Sequence, residues 1–146
     1  MSGGPYPVAD LAAYLTGRWR LDRTMRDHRA GQNGTMTGVL EIAPDGEGHA
    51  WRERAELAMG GYRGPAWRVY RLGFVTPRRA AVHFDDGRPF HELDLSDGFC
   101  RQRHDCPPDL YSGVFIAFGA DRWQMRWRVR GPKKRLHIVT DLARDG

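Results

Sequence analysis

Short segments of alternating apolar and polar residues follow one another along most of this chain. Turns rich in glycine, proline and Asx residues, such as Asp86-Gly87 and Gly131-Pro132, separate them at regular intervals. Short alternating strands spaced about 8–12 residues apart are typical of an antiparallel up-and-down barrel or sandwich. The pattern predicts strands over about 18–26, 35–43, 49–57, 66–75, 78–85, 89–95, 99–106, 111–118, 122–130 and 134–143.

The N-terminal part of the chain has a helical period instead. Apolar residues follow the i, i+3, i+4, i+7 spacing of one helix face at Val8, Leu11, Ala12 and Leu15. We predict a short helix over about 8–16 and a barrel of about 8–10 strands over about 17–144. At 146 residues the whole chain, 1–146, is expected to be one all-β domain.

Four of the predicted strands carry one ionisable side chain each on an otherwise apolar face. These residues are Arg23, Glu53, His91 and His104. Burying a charge without a partner is costly, so such residues are expected to meet each other or a ligand. The alternation therefore predicts a hollow barrel with a binding or catalytic cavity.

Two histidines are the first candidates for catalysis. The strands 89–95 and 99–106 are predicted to pair as a hairpin, which places His91 beside His104 on an inward face. A neutral imidazole can accept or donate a proton near pH 7. A hydrogen-bonded core histidine is the structural alternative. The hydroxyl of Tyr111, on the following strand, is a further catalytic candidate for the same site.

Glu53 is the candidate internal acid, and two states are open to it. Desolvation would raise its pKa and suit it to general acid–base catalysis, whereas an ion pair with Arg23 would hold it ionised. We favour the ion pair. Arg23 also has a planar guanidinium that suits a carboxylate or phosphate of a ligand.

Further ligand-binding candidates are expected around the same cavity. Arg88 follows a predicted hairpin turn and is expected to guard the barrel mouth, although the turn itself needs no ligand. The remaining candidates share inward parity, and they are Trp51, Trp127 and Cys106.

Cysteine spacing and hydropathy indicate the cellular compartment in which the protein is expected. Cys100 and Cys106 lie on one predicted strand about 20 Å apart, beyond disulfide reach, so free thiols in a reducing compartment are expected. No run of about 18 apolar residues and no apolar leader occurs, so we predict a cytoplasmic protein without a membrane span.

Cofactors and assembly are less constrained by the sequence. No Cys-x-x-Cys or His-x-x-x-His spacing occurs, so no metal site is predicted. The sequence identifies no cofactor, and haem is one of the candidates. It does not determine the oligomeric state either, and a dimer is among the alternatives.

The net charge is +5 and arginine supplies most of it. Such a balance fits a solvated surface, an anionic ligand or a nucleic-acid partner. On the predicted strand 122–130 the basic face of Arg126, Arg128 and Arg130 lies opposite an apolar face. Because aromatic side chains do not interleave with these cations, the pattern disfavours single-stranded nucleic acid.

Two sets of residues carry a resemblance to known families. Gly17-Arg18-Trp19 on the first strand, with Arg144 after the last, resembles the lipocalin (calycin) pattern, in which the arginine packs across the tryptophan at the closed end. Over nearly the whole chain the sequence resembles the domain-of-unknown-function family 6314. That resemblance implies a lipocalin-like barrel and no established activity. The segments that carry it are Tyr14–Trp19, Asp86–His91, His104–Tyr111 and Trp127–Lys133.

Two functions remain open at this point. The first is a binding module that holds a small, partly polar, anionic organic molecule in the barrel. The second is an enzyme of isomerase, cyclase or hydrolase type that uses the acid–base residues named above. Binding is favoured because no nucleophile motif or cofactor fingerprint occurs in the sequence.

Overall fold

Ten antiparallel strands form one continuous sheet that curls into a nearly closed barrel. The computed structural model describes residues 4–145. Strands that are neighbours in sequence are neighbours in the sheet, except for the sixth and the seventh, and the first strand pairs with the last. The predicted all-β up-and-down barrel is confirmed. The elements are α1 (Leu11–Leu15), β1 (Gly17–Asp27), β2 (Gln32–Asp45), β3 (Gly48–Met59), β4 (Tyr62–Thr76), β5 (Arg79–Phe84), β6 (Pro89–Asp94), β7 (Phe99–Cys106), β8 (Asp109–Gly119), β9 (Arg122–Arg130) and β10 (Arg135–Arg144).

The N-terminal helix is shorter than the apolar spacing predicts. It begins after Asp10, whose carboxylate accepts the main-chain N–H of Ala13 at 3.1 Å as an N-cap. Val8 cannot join the helix because its main-chain N–H donates to the Leu95 carbonyl at 2.9 Å. The segment before α1 is therefore extended and lies against the barrel.

The prediction that 89–95 and 99–106 pair as a hairpin is wrong. β6 and β7 are the two edges of the sheet, and no ladder joins them. The N-terminal segment forms main-chain hydrogen bonds near both edges. The Val8 N–H donates to the Leu95 carbonyl, just after β6, and the Tyr6 N–H donates to the Ala117 carbonyl on β8 at 2.8 Å. We call the gap between β6 and β7 the seam.

A tryptophan and an arginine close one end of the barrel, as the lipocalin-like pattern implies. Trp19 is fully buried and its indole N–H donates to the Leu15 carbonyl at 2.9 Å. The Arg144 guanidinium carbon lies 3.8 Å from the centre of an indole ring of Trp19. The same guanidinium donates to the main-chain carbonyls of Tyr14 and Thr16, which ties the helix to the floor. Gly17 has φ of +130°, so a side chain there would be strained beside Arg144.

Strand register places Arg23 above the floor of the barrel. Arg23 lies opposite Thr140 on β10 and opposite Met36 on β2, above the floor level of Trp19. Below this level the interior is packed with apolar side chains, including Trp123. Above it the strands lead to the open end, where the β1–β2, β3–β4 and β9–β10 turns lie.

Candidate functional site

A cavity of about 410 Å³ occupies the barrel between this level and the open end. Volumes of about 300–1,000 Å³ are usual for small-molecule sites. Aromatic rings and thioethers dominate its wall, and a few polar groups interrupt them. The lining residues are Arg23, Met25, Met36, Trp51, Glu53, Leu57, Ala66, Trp67, Arg68, Tyr70, Val82, Phe90, His91, Tyr111, Met125, Trp127, Val129, Leu136, Ile138 and Thr140.

An ion pair between Arg23 and Glu53 stands in the cavity wall. The guanidinium donates to both carboxylate oxygens at 3.0 Å, and the two side chains are 13% and 3% exposed. The Trp51 indole N–H donates to the same carboxylate at 3.0 Å, and Arg23 Nε donates to the Thr140 hydroxyl at 2.8 Å. The predicted ion pair is confirmed. Both carboxylate oxygens of Glu53 therefore accept hydrogen bonds, which hold Arg23 and Trp51 in fixed positions.

His91 projects from the edge strand β6 into the cavity. Its Nδ1 lies 2.8 Å from the Glu92 carbonyl. Because a carbonyl only accepts, Nδ1 carries the proton and Nε2 is the acceptor. The ring stacks at 5.1 Å on Phe115 and lies edge-on to Trp127. Burial lowers the pKa of His91 to about 4, with a smaller contribution from His104. His91 is therefore neutral at pH 7.

Acidification is expected to destabilise the barrel through His91. Its folded pKa of about 4 lies below the ordinary 6.5, so the unfolded chain binds this proton more readily. Stability therefore falls as the pH drops from about 6.5 to about 4, by about 3 kcal/mol in total. Urea unfolding of the wild type and of His91→Gln across this range measures the effect. An unchanged pH slope in the variant would contradict the assignment.

His104 lies at the seam rather than in the cavity wall. Its ring is edge-on to Phe84 at 5.7 Å, to Phe90 at 5.1 Å and to Tyr111 at 5.8 Å. His91 on β6 and His104 on β7 each lie edge-on to the ring of Phe90, as side chains of the two unpaired edges. Tyr111 lines the cavity as predicted, whereas His104 is not among the lining residues.

Two predicted ligand-binding residues lie away from the cavity. Cys106 is exposed at the end of β7, because the alternation of that strand does not hold up to its last residue. Arg88 is exposed in the β5–β6 turn, where it pairs with Asp86 at 2.7 Å and lies over the Phe84 ring. Neither lines the cavity, so neither is retained in the site. Trp51 and Trp127 do line it.

Several cavity residues were missed by the sequence reasoning. Tyr70 and Arg68 share parity with Leu72 on β4, so the alternation alone would have found them. Burial raises the pKa of the Tyr70 hydroxyl, which accepts from Arg68 Nη1 at 3.3 Å. Phe90 could not be found this way. It lines the cavity together with its neighbour His91, because an irregularity between Val82 and His83 breaks the register there.

The cavity wall carries balanced charge in its deeper part. Arg23 and Glu53 neutralise each other, and His91 is uncharged at pH 7. Arg68, which is exposed and lies opposite Glu53 in strand register, makes no salt bridge with any carboxylate of residues 4–145. Within the same residues, no group of three or more His, Cys, Asp or Glu side chains is arranged to hold a metal ion.

Comparisons with known proteins agree with this architecture. A family model described as "Family of unknown function (DUF6314)" matches residues 15–144. The S-type phycobiliprotein lyase CPES from Guillardia theta superposes with a TM-score of 0.62 at 13% identity, over 92% of this chain and 90% of that one. A DUF3598 family protein of unknown function from Nostoc punctiforme superposes with a TM-score of 0.64 at 14% identity, over 97% of this chain.

The chain spans about half of the Nostoc protein, 51% of its length. No curated protein matches the chain in sequence. Identities this low establish the shared barrel fold. No helix within residues 4–145 is long and apolar enough to cross a membrane.

Proposed function

The chain belongs to the DUF6314 family of unknown function, and we propose that its barrel binds a small, flat, partly polar organic molecule in the central cavity. The observation that carries this proposal is the cavity of about 410 Å³, which is built around a fully engaged ion pair. If the barrel interior served only to stabilise the fold, apolar side chains in place of Arg23 and Glu53 would give a higher free energy of unfolding than a buried charge pair does.

Aromatic surfaces in the wall favour a flat ligand. Phe90 and Trp127 stack at 5.2 Å with an interplanar angle of 14°, and Tyr70 packs on Phe90 at 5.5 Å. Trp51 forms the base of the cavity, edge-on to Trp123 beneath it. Ring faces of this kind bind a conjugated ring system by stacking and edge contacts. The thioethers of the methionines in the wall adapt to irregular outlines.

Polar groups define how such a ligand is oriented. The Nε2 acceptor of His91 and the hydroxyl of Tyr111 offer hydrogen bonds in the middle of the cavity. The positive charge of Arg23 is already neutralised by Glu53, so an acidic group of the ligand gains little there. Arg68 is exposed, lies opposite Glu53 in strand register and forms no salt bridge with a carboxylate of the described residues. An anionic group is therefore expected beside Arg68, with the rings inward.

Acid–base catalysis is the weaker function for this cavity. Both oxygens of Glu53 are already engaged by three hydrogen bonds from Arg23 and Trp51. His91, with a pKa of about 4, is a weak base at neutral pH. Binding accordingly ranks ahead of turnover.

Anilinonaphthalene sulfonate, a flat aromatic anion, is a suitable probe for this proposal. The wild type is expected to enhance its fluorescence with a saturable, one-site titration. Ala66→Phe places a ring in the cavity and is expected to weaken binding at least roughly tenfold, since the ligand loses its space.

Ala13→Phe is the matched control, because Ala13 is exposed on α1 and remote from the cavity. Near-UV circular dichroism of each variant checks that the fold is intact, since this dye also binds loosened states. Equal affinities for the wild type and Ala66→Phe would show that the dye binds elsewhere.

A further inference from the structure

A second concave site lies on the outer wall of the barrel at its open end. It has a volume of about 150 Å³ and is built from the β9–β10 pair and the β1–β2 turn. We call it the basic groove. Its lining residues are His28, Arg128, Val129, Arg130, Arg135, Leu136 and His137.

Strand register sets like charges directly opposite one another in this groove. Arg130 on β9 faces Arg135 on β10, and in the next row Arg128 faces His137, which in turn faces Arg26 on β1. Like charges in facing positions destabilise a sheet. The Arg130–Arg135 row therefore costs stability unless an anion lies between its two guanidinium groups, and Arg128 and Arg26 add positive charge on either side of His137.

The carboxylates near the groove form no salt bridge with its arginines. None of Arg26, Arg128, Arg130 and Arg135 forms a salt bridge with a carboxylate of residues 4–145. Asp27 is adjacent in sequence, but its carboxylate accepts the main-chain N–H groups of the β1–β2 turn at 3.0 Å.

A second nearby acid is also engaged. Asp109 is paired with Lys134 at 3.1 Å. The guanidinium groups that line the groove are thus free to bind an external anion.

We propose that the basic groove binds a multiply charged phosphate group of the pyrophosphate class. Three guanidinium groups in one concavity supply planar, bidentate donors for phosphate oxygens, and the two histidines add donors at its edge. An anion with a single negative charge would leave most of the repulsion between the facing cations in place, whereas a diphosphate offsets that repulsion. The site is separate from the central cavity, although Val129 and Leu136 line both.

His137 reports occupancy of the groove independently of any activity. Its pKa is lowered by partial burial and by the cations that face it, which are Arg128 and Arg126 on β9 and His28 and Arg26 on the β1 side. A bound anion stabilises the imidazolium. The pKa of His137, followed by proton NMR, is therefore expected to rise when pyrophosphate is added.

Calorimetric titration with inorganic pyrophosphate tests the site at about 0.15 M salt. Arg128→Gln and Arg135→Gln are each expected to weaken binding roughly tenfold. Arg20→Gln is the matched control, since Arg20 is exposed on the outer face of β1 near the closed end and outside the groove. It is expected to leave both the affinity and the His137 shift unchanged.

Three results would overturn the proposal. The first is an absence of heat and of any His137 shift up to millimolar pyrophosphate, which would mean a merely solvated basic face. The second is equal weakening by Arg20→Gln, which would mean diffuse attraction. The third is binding of a DNA duplex with no response to pyrophosphate, which would make the face a nucleic-acid surface.

Discussion

Replacing Glu53 with alanine is expected to lower the free energy of unfolding by about 3–5 kcal/mol. The change leaves the Arg23 guanidinium 13% exposed without its counter-charge, and it removes the acceptor of the Trp51 indole N–H. An uncompensated buried charge is among the most destabilising defects known in cores. Urea unfolding at pH 7 measures the loss.

Two further variants separate this effect from simple loss of contacts. The double replacement Arg23→Met with Glu53→Leu removes both charges and is expected to recover most of the stability. Glu56→Ala breaks the exposed pair with Arg63 and is expected to cost about 0–1 kcal/mol. A Glu53→Ala variant as stable as Glu56→Ala would show that the pair contributes nothing to the fold.

Trp19→Ala is expected to cost about 3–5 kcal/mol, since it empties the floor of the barrel. Trp19 is fully buried, bonds to Leu15 and carries the Arg144 guanidinium on its ring at 3.8 Å. It also lies edge-on to Trp123 at 6.0 Å. Its loss therefore removes packing, a hydrogen bond and the cation–π contact together. Thermal and urea unfolding at neutral pH measure the change.

Trp67→Ala is the matched control for Trp19→Ala. Trp67 is 71% exposed at the rim, so its truncation is expected to change stability by no more than about 0.5 kcal/mol. Similar losses for the two variants would mean that the closed end is not the stabilising plug of this barrel.

Much of the architecture could be predicted from alternation alone. The alternation of inward and outward side chains placed Arg23 and Glu53 on inward faces. Because the two residues have opposite charges and face the same barrel interior, an ion pair between them was favoured. The contact of Arg144 with Trp19 was instead implied by the lipocalin-like pattern, and the structure places the two in contact. Alternation succeeds for Arg23 and Glu53 because their strands, β1 and β3, are each paired with a neighbour on both sides.

The errors that alternation could not avoid lie where the pairing of strands stops or becomes irregular. The seam was predicted to be a hairpin because its two strands are adjacent in sequence, but whether the last edges of a curled sheet meet depends on barrel size and shear. Cys106 is at the end of an edge strand, and Phe90 follows a register irregularity. Local alternation carries no information about either. The size of the cavity also depends on how all ten strands close.

Ligand binding in the central cavity can be read most directly from the five tryptophan indole N–H signals in a two-dimensional NMR titration with anilinonaphthalene sulfonate. Trp51 and Trp127 line the cavity, and their signals are expected to shift together with one dissociation constant. Trp19 lies below Trp123 in the floor and is expected to move least. A titration that shifts Trp67 at the rim while Trp51 and Trp127 stay unchanged would contradict a ligand site inside the barrel.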